Sequence, residues 1–159
     1  ALSELNNPKI SIWDGELKRS GVSYMKDTLH ELKNIFSEDL ALIVGDEVFS
    51  EFPKWKEPQT VLSLANLVIV TRNSAPLNVL PTLEHCGISD GLLENEVVRY
   101  AQNSRWVKIL KINALPYSST EIRHNLAKAW KTGDLNKVPQ GIQRSVWLLI
   151  KENQLYAVS

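Results

Sequence analysis

A run of three hydroxyl side chains followed by an arginine is the part of this sequence best suited to chemistry. Ser118, Ser119 and Thr120 precede Glu121, and Arg123 follows two residues later. The Ser-x-x-Glu spacing is that of a capping box and predicts that a helix begins here. A helix start presents unpaired N–H groups and the positive end of the helix dipole, both of which favour an anion. Together with the planar arginine fork these groups are suited to a phosphate, although an ordinary helix cap beside a surface arginine would use the same residues.

The composition is that of one soluble globular domain. The chain has 159 residues, of which 43% are hydrophobic and 23% charged, as in typical domains. Its formal net charge of zero argues against broad nucleic-acid binding. The single cysteine, Cys86, cannot form an internal disulfide, so we expect a reducing compartment such as the cytoplasm. No apolar run approaches the roughly 18 residues of a membrane span, and no Cys/His spacing resembles a zinc site.

Strands and helices are predicted to alternate along the chain. Residues 10–13 and 16–19 resemble two short strands around an Asp14-Gly15 hairpin turn. Apolar spacing predicts helices at residues 23–36, 58–66 and 118–131 and a last helix opened by Pro139. Continuous apolar runs predict strands at residues 40–44, buried on both faces and ending at Gly45, and at 67–70. Partial alternation predicts a third strand at residues 106–112. Residues 73–104 are predicted to be a loop followed by a helix from about residue 91 to 102.

This alternation predicts an α/β fold in one domain, with a mostly parallel sheet covered on both faces. In such sheets ligands bind at the carboxyl ends of the strands. Gly45 follows one predicted strand, Arg72 lies at the end of another, and the Ser118 helix follows a third. We therefore expect these three positions to converge on one edge of the sheet.

Five further segments accompany residues 118–123 in a recognisable order. Residues 21–29 read G-V-S-Y-M-K-D-T-L, residues 43–47 read I-V-G-D-E and residues 53–55 read P-K-W; a V-P pair at 138–139 and N-Q-L-Y at 153–156 follow. With S-S-T-E-I-R at 118–123, the set resembles the bacterial nicotinate-nucleotide adenylyltransferases, which are HxGH-type nucleotidyltransferases. The resemblance covers nearly the whole chain but only the carboxyl-terminal three quarters or so of that family.

The chain departs from the family pattern in three places. Nothing matches the amino-terminal G-x-F-x-P-x-H-x-G-H loop, whose histidines contact the ATP phosphates in the family. Met25 replaces the threonine of S-Y-T, and Glu47 replaces the aspartate of G-x-D. The resemblance thus implies a Rossmann-like, doubly wound sheet without its first strand–helix unit. Since that strand lies inside the family's sheet, we expect unpaired strand edges and a severely impaired activity for this chain alone.

The resemblance also implies a role for each candidate residue on the ATP side. Ser118, Ser119, Thr120 and Arg123 would hold the ATP phosphates. Gly45 would let the adenosine or ribose approach the backbone, because glycine has no side chain to clash. A turn after a strand would explain this glycine equally well.

On the acceptor side, the resemblance implies that Trp55 stacks on the nicotinate ring. Backbone N–H groups of Ser23, Tyr24 and Met25 would bind the nicotinate carboxylate at a helix start. Two charged residues complete the set: Glu47 would bind a ribose hydroxyl or help arrange Mg²⁺, and Arg72 would neutralise a phosphate. Core packing for the tryptophan and solvated surface positions for the charges are the ordinary alternatives.

The implied reaction is adenylyl transfer from ATP to nicotinate mononucleotide, giving nicotinate adenine dinucleotide and pyrophosphate, with Mg²⁺ expected to accompany ATP. Two alternatives stay open. The chain could be a catalytically inactive nucleotide-binding or assembly module, or it could serve another phosphate acceptor such as a pantetheine phosphate. Its expected partners are ATP and the acceptor, without nucleic acid or membrane. A homo-oligomer, or association with an amino-terminal segment that is missing here, would cover the open edges.

Overall fold

The computed structural model describes residues 7–72, 77–89, 91–100, 104–113 and 117–157. The chain divides into two compact units, one drawn from segments 1–13 and 115–159 and the other from residues 14–114. Each unit has a hydrophobic cluster of its own. The interpretation as one domain stays a prediction.

The larger unit contains a five-stranded sheet whose spatial order is β1-β2-β5-β4-β3. Its strands are β1 (Leu40–Gly45), β2 (Ala65–Thr71), β3 (Leu92–Glu94), β4 (Val97–Arg99) and β5 (Trp106–Lys111). Strands β1, β2 and β5 are parallel, whereas β5, β4 and β3 pair in antiparallel fashion. The predicted α/β class with parallel central strands is confirmed, as are the three predicted strands within two residues at each end.

Five helices and one 3₁₀ turn surround this sheet in the described part of the larger unit. They are α1 (Gly15–Lys18), α2 (Met25–Ile35), α3 (Asp46–Ser50), the 3₁₀ turn Phe52–Lys54, α4 (Pro58–Leu64) and α5 (Val79–His85). The predictions for α2 and α4 are confirmed within two residues, and Pro58 opens α4, where its missing N–H costs no helical bond. Within the described residues, no helix is long and apolar enough to span a bilayer.

The smaller unit contains the helices α6 (Ser119–Thr132) and α7 (Arg144–Glu152). Helix α6 lies where it is predicted and ends at Gly133, whose φ of 70° continues no right-handed helix. The prediction that Pro139 opens the last helix is wrong. Gly141 has a φ of 86°, so the chain turns after the proline and α7 begins only after its N-cap, Gln143.

The predicted hairpin around Asp14-Gly15 is also wrong. Residues 10–13 form no strand, and residues 15–18 are the short helix α1. Lys18 pairs with Asp14 one helical turn earlier, at 2.8 Å. Arg19, just after the helix, donates a hydrogen bond to Glu31 of α2 at 2.6 Å. Side-chain pairing at helical spacing therefore decides the conformation of a segment whose apolar alternation suggests a strand.

The predicted helix from about residue 91 to 102 is wrong as well, and its residues 101 and 102 lie outside the described residues. Strands β3 and β4 form a hairpin there. Its two-residue turn is Asn95-Glu96, with φ values of 49° and 65°. Positive φ at both turn positions matches the right-handed twist of the flanking strands. Glutamate is unusual at such a position, which explains why the sequence carries only a weak hairpin signal.

The core of the larger unit is formed by side chains from the sheet and from the helices that pack against it. Among those with no exposed surface or almost none are Phe49, Phe52, Leu62, Leu67 and Ile69. The burial of each such side chain stabilises the folded state by roughly 1.5–3 kcal/mol, because its apolar surface is removed from water.

Strand β1 is not buried on both faces, contrary to the prediction. Ala41 and Gly45 are exposed, and 68% of the Ile43 surface is exposed. Strand β1 is the end strand of the described sheet and pairs only with β2 there. A short apolar run cannot by itself distinguish burial on one face from burial on two.

Candidate functional site

The amino-terminal end of α6 carries the predicted phosphate-binding residues in the smaller unit. Ser118 is the N-cap, and its Oγ accepts a hydrogen bond from the Glu121 N–H at 3.1 Å. The cap leaves the N–H groups of Ser119 and Thr120 without helical partners, because no carbonyl lies four residues before them in the helix. The side chains of all three hydroxyl residues are exposed. The local prediction of a capped helix start is therefore confirmed.

Arg123 lies one turn further along the same face of α6. Its Nη2 donates a hydrogen bond to Ser119 Oγ at 3.3 Å, while the side chain remains exposed. This contact holds the guanidinium beside the helix start instead of leaving it to extend freely into solvent. A cationic fork, two hydroxyls and free N–H groups thus share one end of one helix, a geometry that suits a phosphate.

A cavity of about 380 Å³ adjoins this helix start within the smaller unit. Ser119, Arg123 and Gln143 belong to its polar lining. The remaining wall is largely apolar and comes from α6, α7 and the turn before α7, including Ile122, Leu126, Ile142, Val146 and Ile150. The predicted phosphate residues therefore border a largely apolar hollow.

In the larger unit, a second cavity of about 380 Å³ brings together the predicted acceptor residues. Its lining consists of Glu16, Ser23, Tyr24, Met25, Lys54, Trp55 and Lys56. The start of α2 and the segment after the 3₁₀ turn are far apart in sequence, yet they line the same cavity. The four predicted residues Ser23, Tyr24, Met25 and Trp55 thus meet, as the resemblance implies.

The cavity wall formed by α2 is a helix start without a side-chain cap. Tyr24 is the N-cap residue, and its side chain accepts no capping hydrogen bond. Its backbone carbonyl accepts the N–H groups of Asp27 and Thr28, at 3.0 and 3.2 Å. The N–H groups of Met25 and Lys26 precede these and have no carbonyl inside the helix to bind. Because the donors belong to the backbone, replacing threonine by Met25 leaves them unchanged.

Trp55 serves both packing and the cavity. The centroid of its ring lies 4.9 Å from the ring centroid of buried Phe52, and the angle between the two ring planes is 44°. It also packs against the core cluster of the larger unit. The same side chain lines the cavity and is only partly buried. Phe52 therefore fixes the position of a flat apolar surface that remains open to a ligand.

A short hydrogen-bond network holds Glu16 at the cavity. The buried hydroxyl of Thr28 donates to Glu16 Oε1. Arg19 donates to Thr28 Oγ1 at 3.3 Å and to Glu31 at 2.6 Å. The network ties α1 to the face of α2. Sequence reasoning missed Glu16 because it assigned this segment to a strand, and it missed Lys54 and Lys56 although both flank Trp55.

Three predicted residues lie at the carboxyl ends of β1 and β2, which meet at one sheet edge. Gly45 ends β1 with a φ of −74°, and a side chain added there would meet nothing within 4 Å. The backbone therefore does not require glycine, although open space suits a close ligand. Glu47 is exposed in the first turn of α3, and Arg72 is exposed directly after β2. The helix that begins after Ser118 belongs to the other unit, so the predicted convergence of all three positions stays a prediction.

Asp46 is the residue at this edge that sequence reasoning missed. Its Oδ2 accepts a hydrogen bond from Thr71 Oγ1 at 2.8 Å, and its Oδ1 accepts the N–H of Glu47 at 3.0 Å. The contact with Thr71 depends on the pairing of β1 with β2. No spacing along the chain would show it.

A metal ion has no ready-made site of its own in the described ranges. They contain no group of three or more His, Cys, Asp or Glu side chains that could hold one. The expectation of Mg²⁺ stays a prediction.

Comparison with known proteins places these features in a family. The family model described as cytidylyltransferase-like matches residues 4–125, which is well over half of the chain. This chain belongs to the cytidylyltransferase-like family. The family match includes β1, β2 and β5, the whole acceptor cavity and the first turns of α6.

Curated relatives carry a more specific name. A protein of Coxiella burnetii is 28% identical over 156 residues, covering 95% of this chain and 68% of the relative. One of Leptospira interrogans is 30% identical over 149 residues, covering 93% and 63%. One of Dictyoglomus thermophilum is 39% identical over 72 residues, covering 45% and 37%. All three are named probable nicotinate-nucleotide adenylyltransferase. The chain thus spans between about one third and two thirds of these relatives' length.

Proposed function

We propose that this chain is the part of a nicotinate-nucleotide adenylyltransferase that holds the acceptor and the ATP phosphates. The reaction would transfer AMP from ATP to nicotinate mononucleotide, giving nicotinate adenine dinucleotide and pyrophosphate. The observation that carries the proposal is the acceptor cavity, where the uncapped start of α2 and the open surface of Trp55 meet. The names of the curated relatives support the same reaction.

In this proposal the acceptor binds through its ring and its carboxylate. The pyridine ring stacks on Trp55, whose position is set by packing against Phe52. The carboxylate accepts hydrogen bonds from backbone N–H groups at the start of α2, where the helix dipole also favours negative charge. Both parts of the ligand therefore use groups that the fold already positions.

The phosphates of ATP bind at the start of α6. Ser118 holds the helix start together, Ser119 and Thr120 supply hydroxyls and N–H groups, and Arg123 supplies a cation. These groups neutralise the charge that moves onto the leaving pyrophosphate. Mg²⁺ bridging the phosphates would add to this neutralisation.

The chemical step needs no protein nucleophile. An oxygen of the acceptor's 5′-phosphate attacks the α-phosphorus of ATP, the bond from that phosphorus to the bridging oxygen breaks, and pyrophosphate leaves with the bonding pair. Catalysis then consists of aligning the two phosphates and stabilising the charge on the leaving group. In this proposal the cavity around Trp55 positions the acceptor, and the start of α6 binds the ATP phosphates and stabilises the charge on the leaving pyrophosphate.

Release of pyrophosphate tests the proposal directly. The protein, together with any natural sequence that flanks this chain, is mixed with MgATP and nicotinate mononucleotide. Trp55→Ala should raise the KM for the acceptor roughly fivefold or more, because stacking on an aromatic ring contributes roughly 1–3 kcal/mol. Trp55→Phe should retain most of the affinity. Trp13→Ala removes a tryptophan outside both cavities and is the matched control.

Two results would contradict the assignment in different ways. If the protein binds ATP and nicotinate mononucleotide but shows no turnover, the result would favour a catalytically inactive nucleotide-binding module. If the enzyme turns over but Trp55→Ala leaves the acceptor affinity unchanged, the result would favour another phosphate acceptor.

A further inference from the structure

The acceptor cavity is lined by three charged side chains, and two of them already have partners. Lys54 forms an ion pair with Glu51 at 2.5 Å. Glu16 accepts the hydrogen bond of the Thr28 hydroxyl. Lys56 is exposed and forms no ion pair with any residue that the structure describes. The cavity thus has one lysine that forms no ion pair within the described part of the chain.

The neighbouring glutamate forms its ion pair with a different lysine, and only the longer-range charge of Lys56 acts on it. Glu57 follows Lys56 directly in the chain, but its carboxylate forms an ion pair with Lys26 of α2. That pairing raises the pKa of Lys26 and lowers the pKa of Glu57, chiefly through the hydrogen bond between them. The nearest acidic side chain in sequence is therefore engaged elsewhere, and Lys56 remains available to an anionic ligand.

We propose that Lys56 is a specificity-determining residue of the acceptor cavity. It would pair with the carboxylate on the pyridine ring and so favour an acid-bearing ring over the corresponding amide. The inference rests on the proposed function and extends it to the choice between nicotinate and nicotinamide mononucleotides. Lys56 directly follows Trp55, so a ring stacked on the tryptophan lies within reach of the flexible lysine side chain.

The backbone N–H groups at the start of α2 distinguish a nicotinate from a nicotinamide ring less sharply than a lysine would. An N–H group donates to a carboxylate oxygen or to an amide oxygen, whereas an ammonium group gains Coulomb energy only from the charged carboxylate. Because Lys56 is solvent-exposed, its contribution is that of an exposed ion pair, roughly two- to fivefold in affinity. Added salt should reduce it, since mobile ions screen exposed charges.

Calorimetric titration tests the proposal without requiring adenylyl transfer. Nicotinate mononucleotide and nicotinamide mononucleotide are each titrated into the wild-type chain, Lys56→Met and Lys18→Met. The control removes the same charge from an exposed lysine of α1 that pairs with Asp14 and lies outside the cavity. We expect Lys56→Met to weaken the nicotinate form roughly two- to fivefold and to leave the amide form unchanged. Lys18→Met should change neither.

The other outcomes each contradict the proposal. Equal weakening of both ligands would place Lys56 at their shared phosphate, and unchanged affinities would make it a solvated surface lysine. If the wild-type chain binds neither mononucleotide, the acceptor site itself is refuted together with the proposed function. Thermal unfolding of each variant shows that the substitution leaves the fold intact, as expected for an exposed side chain.

Discussion

Thr71 donates a hydrogen bond to Asp46 Oδ2 at 2.8 Å and thereby joins the carboxyl ends of β2 and β1. Thr71 is buried and Asp46 is partly buried. Through its other carboxylate oxygen, Asp46 also accepts the N–H of Glu47 at the start of α3. One carboxylate thus connects two strands and a helix at an edge where α/β sheets bind ligands.

Replacing Thr71 by valine should lower the free energy of unfolding by about 1–3 kcal/mol, because Asp46 loses a charge-assisted hydrogen bond in a partly buried position. Urea denaturation measures the change. Thr60→Val is the matched control, since the Thr60 hydroxyl makes only a 3.4 Å contact with Glu57. Equal stabilities of the two variants would show that the bond to Asp46 contributes nothing.

Ser118 allows the cap to be separated from phosphate binding. Ser118→Ala should destabilise the chain by about 1 kcal/mol, because the Glu121 N–H loses its acceptor. Ser118→Asp retains a capping oxygen and should keep the stability, yet its charge should repel an anion at the helix start. Denaturation gives the stabilities, and titration with ATP gives the affinities. A Ser118→Asp variant that binds ATP as well as the wild type would exclude this helix start as the phosphate site.

Cys86 should be unreactive in the folded protein. Its side chain is 1% exposed, and burial raises the pKa of the thiol to about 11. At pH 8 it is therefore protonated as well as inaccessible, and both properties suppress attack on a thiol reagent. The chain has a single cysteine, so labelling with a chromogenic disulfide reports this site alone. We expect labelling at the rate of unfolding, and full reaction only in urea; rapid labelling of the native chain would contradict the buried position.

The ion pair between Lys26 and Glu57 should make part of the stability depend on pH. The hydrogen bond from Lys26 holds the pKa of Glu57 below its ordinary 4.5. Its stabilising effect is thus complete above pH 4.5 and is lost as the pH falls through the lower folded pKa. The pKa of Lys26 lies above 10.5, so its contribution is lost only as the pH rises beyond that value.

Glu57→Gln should therefore unfold at a lower temperature than the wild type at pH 7 and approach it at pH 3. Thermal unfolding monitored by circular dichroism at both pH values is the measurement. Glu84→Gln, an exposed substitution in α5, controls for the loss of a carboxylate. A constant difference between Glu57→Gln and the wild type over this range would show that the ion pair does not set the pH dependence.

Local signals in the sequence account for the elements that were predicted well. The N-cap at Ser118 and the apolar spacing of α2 depend on residues within a few positions of each other. The same holds for Pro58 at the start of α4. Short-range hydrogen bonds and side-chain periodicity decide such elements, so the chain alone reveals them.

The errors arose where distant contacts or unusual turns decide the conformation. Residues 15–18 became a helix whose end is tied to α2 through Arg19. Asn95-Glu96 forms a hairpin turn without the glycine that usually marks one. Strand β1 has an apolar sequence, yet the side chain of Ile43 is mostly exposed, because the described residues leave that face of the strand uncovered.

The sequence by itself determined the α/β class, the capped start of α6 and the set of motifs that points to adenylyl transfer, because each depends on residue types at short spacing. Only the tertiary structure placed Trp55 beside the start of α2, added Glu16 and Lys56 to the same cavity, and joined Asp46 to Thr71. Those contacts bring together residues far apart in the chain. Their existence depends on how strands pair and helices pack, which no local pattern encodes.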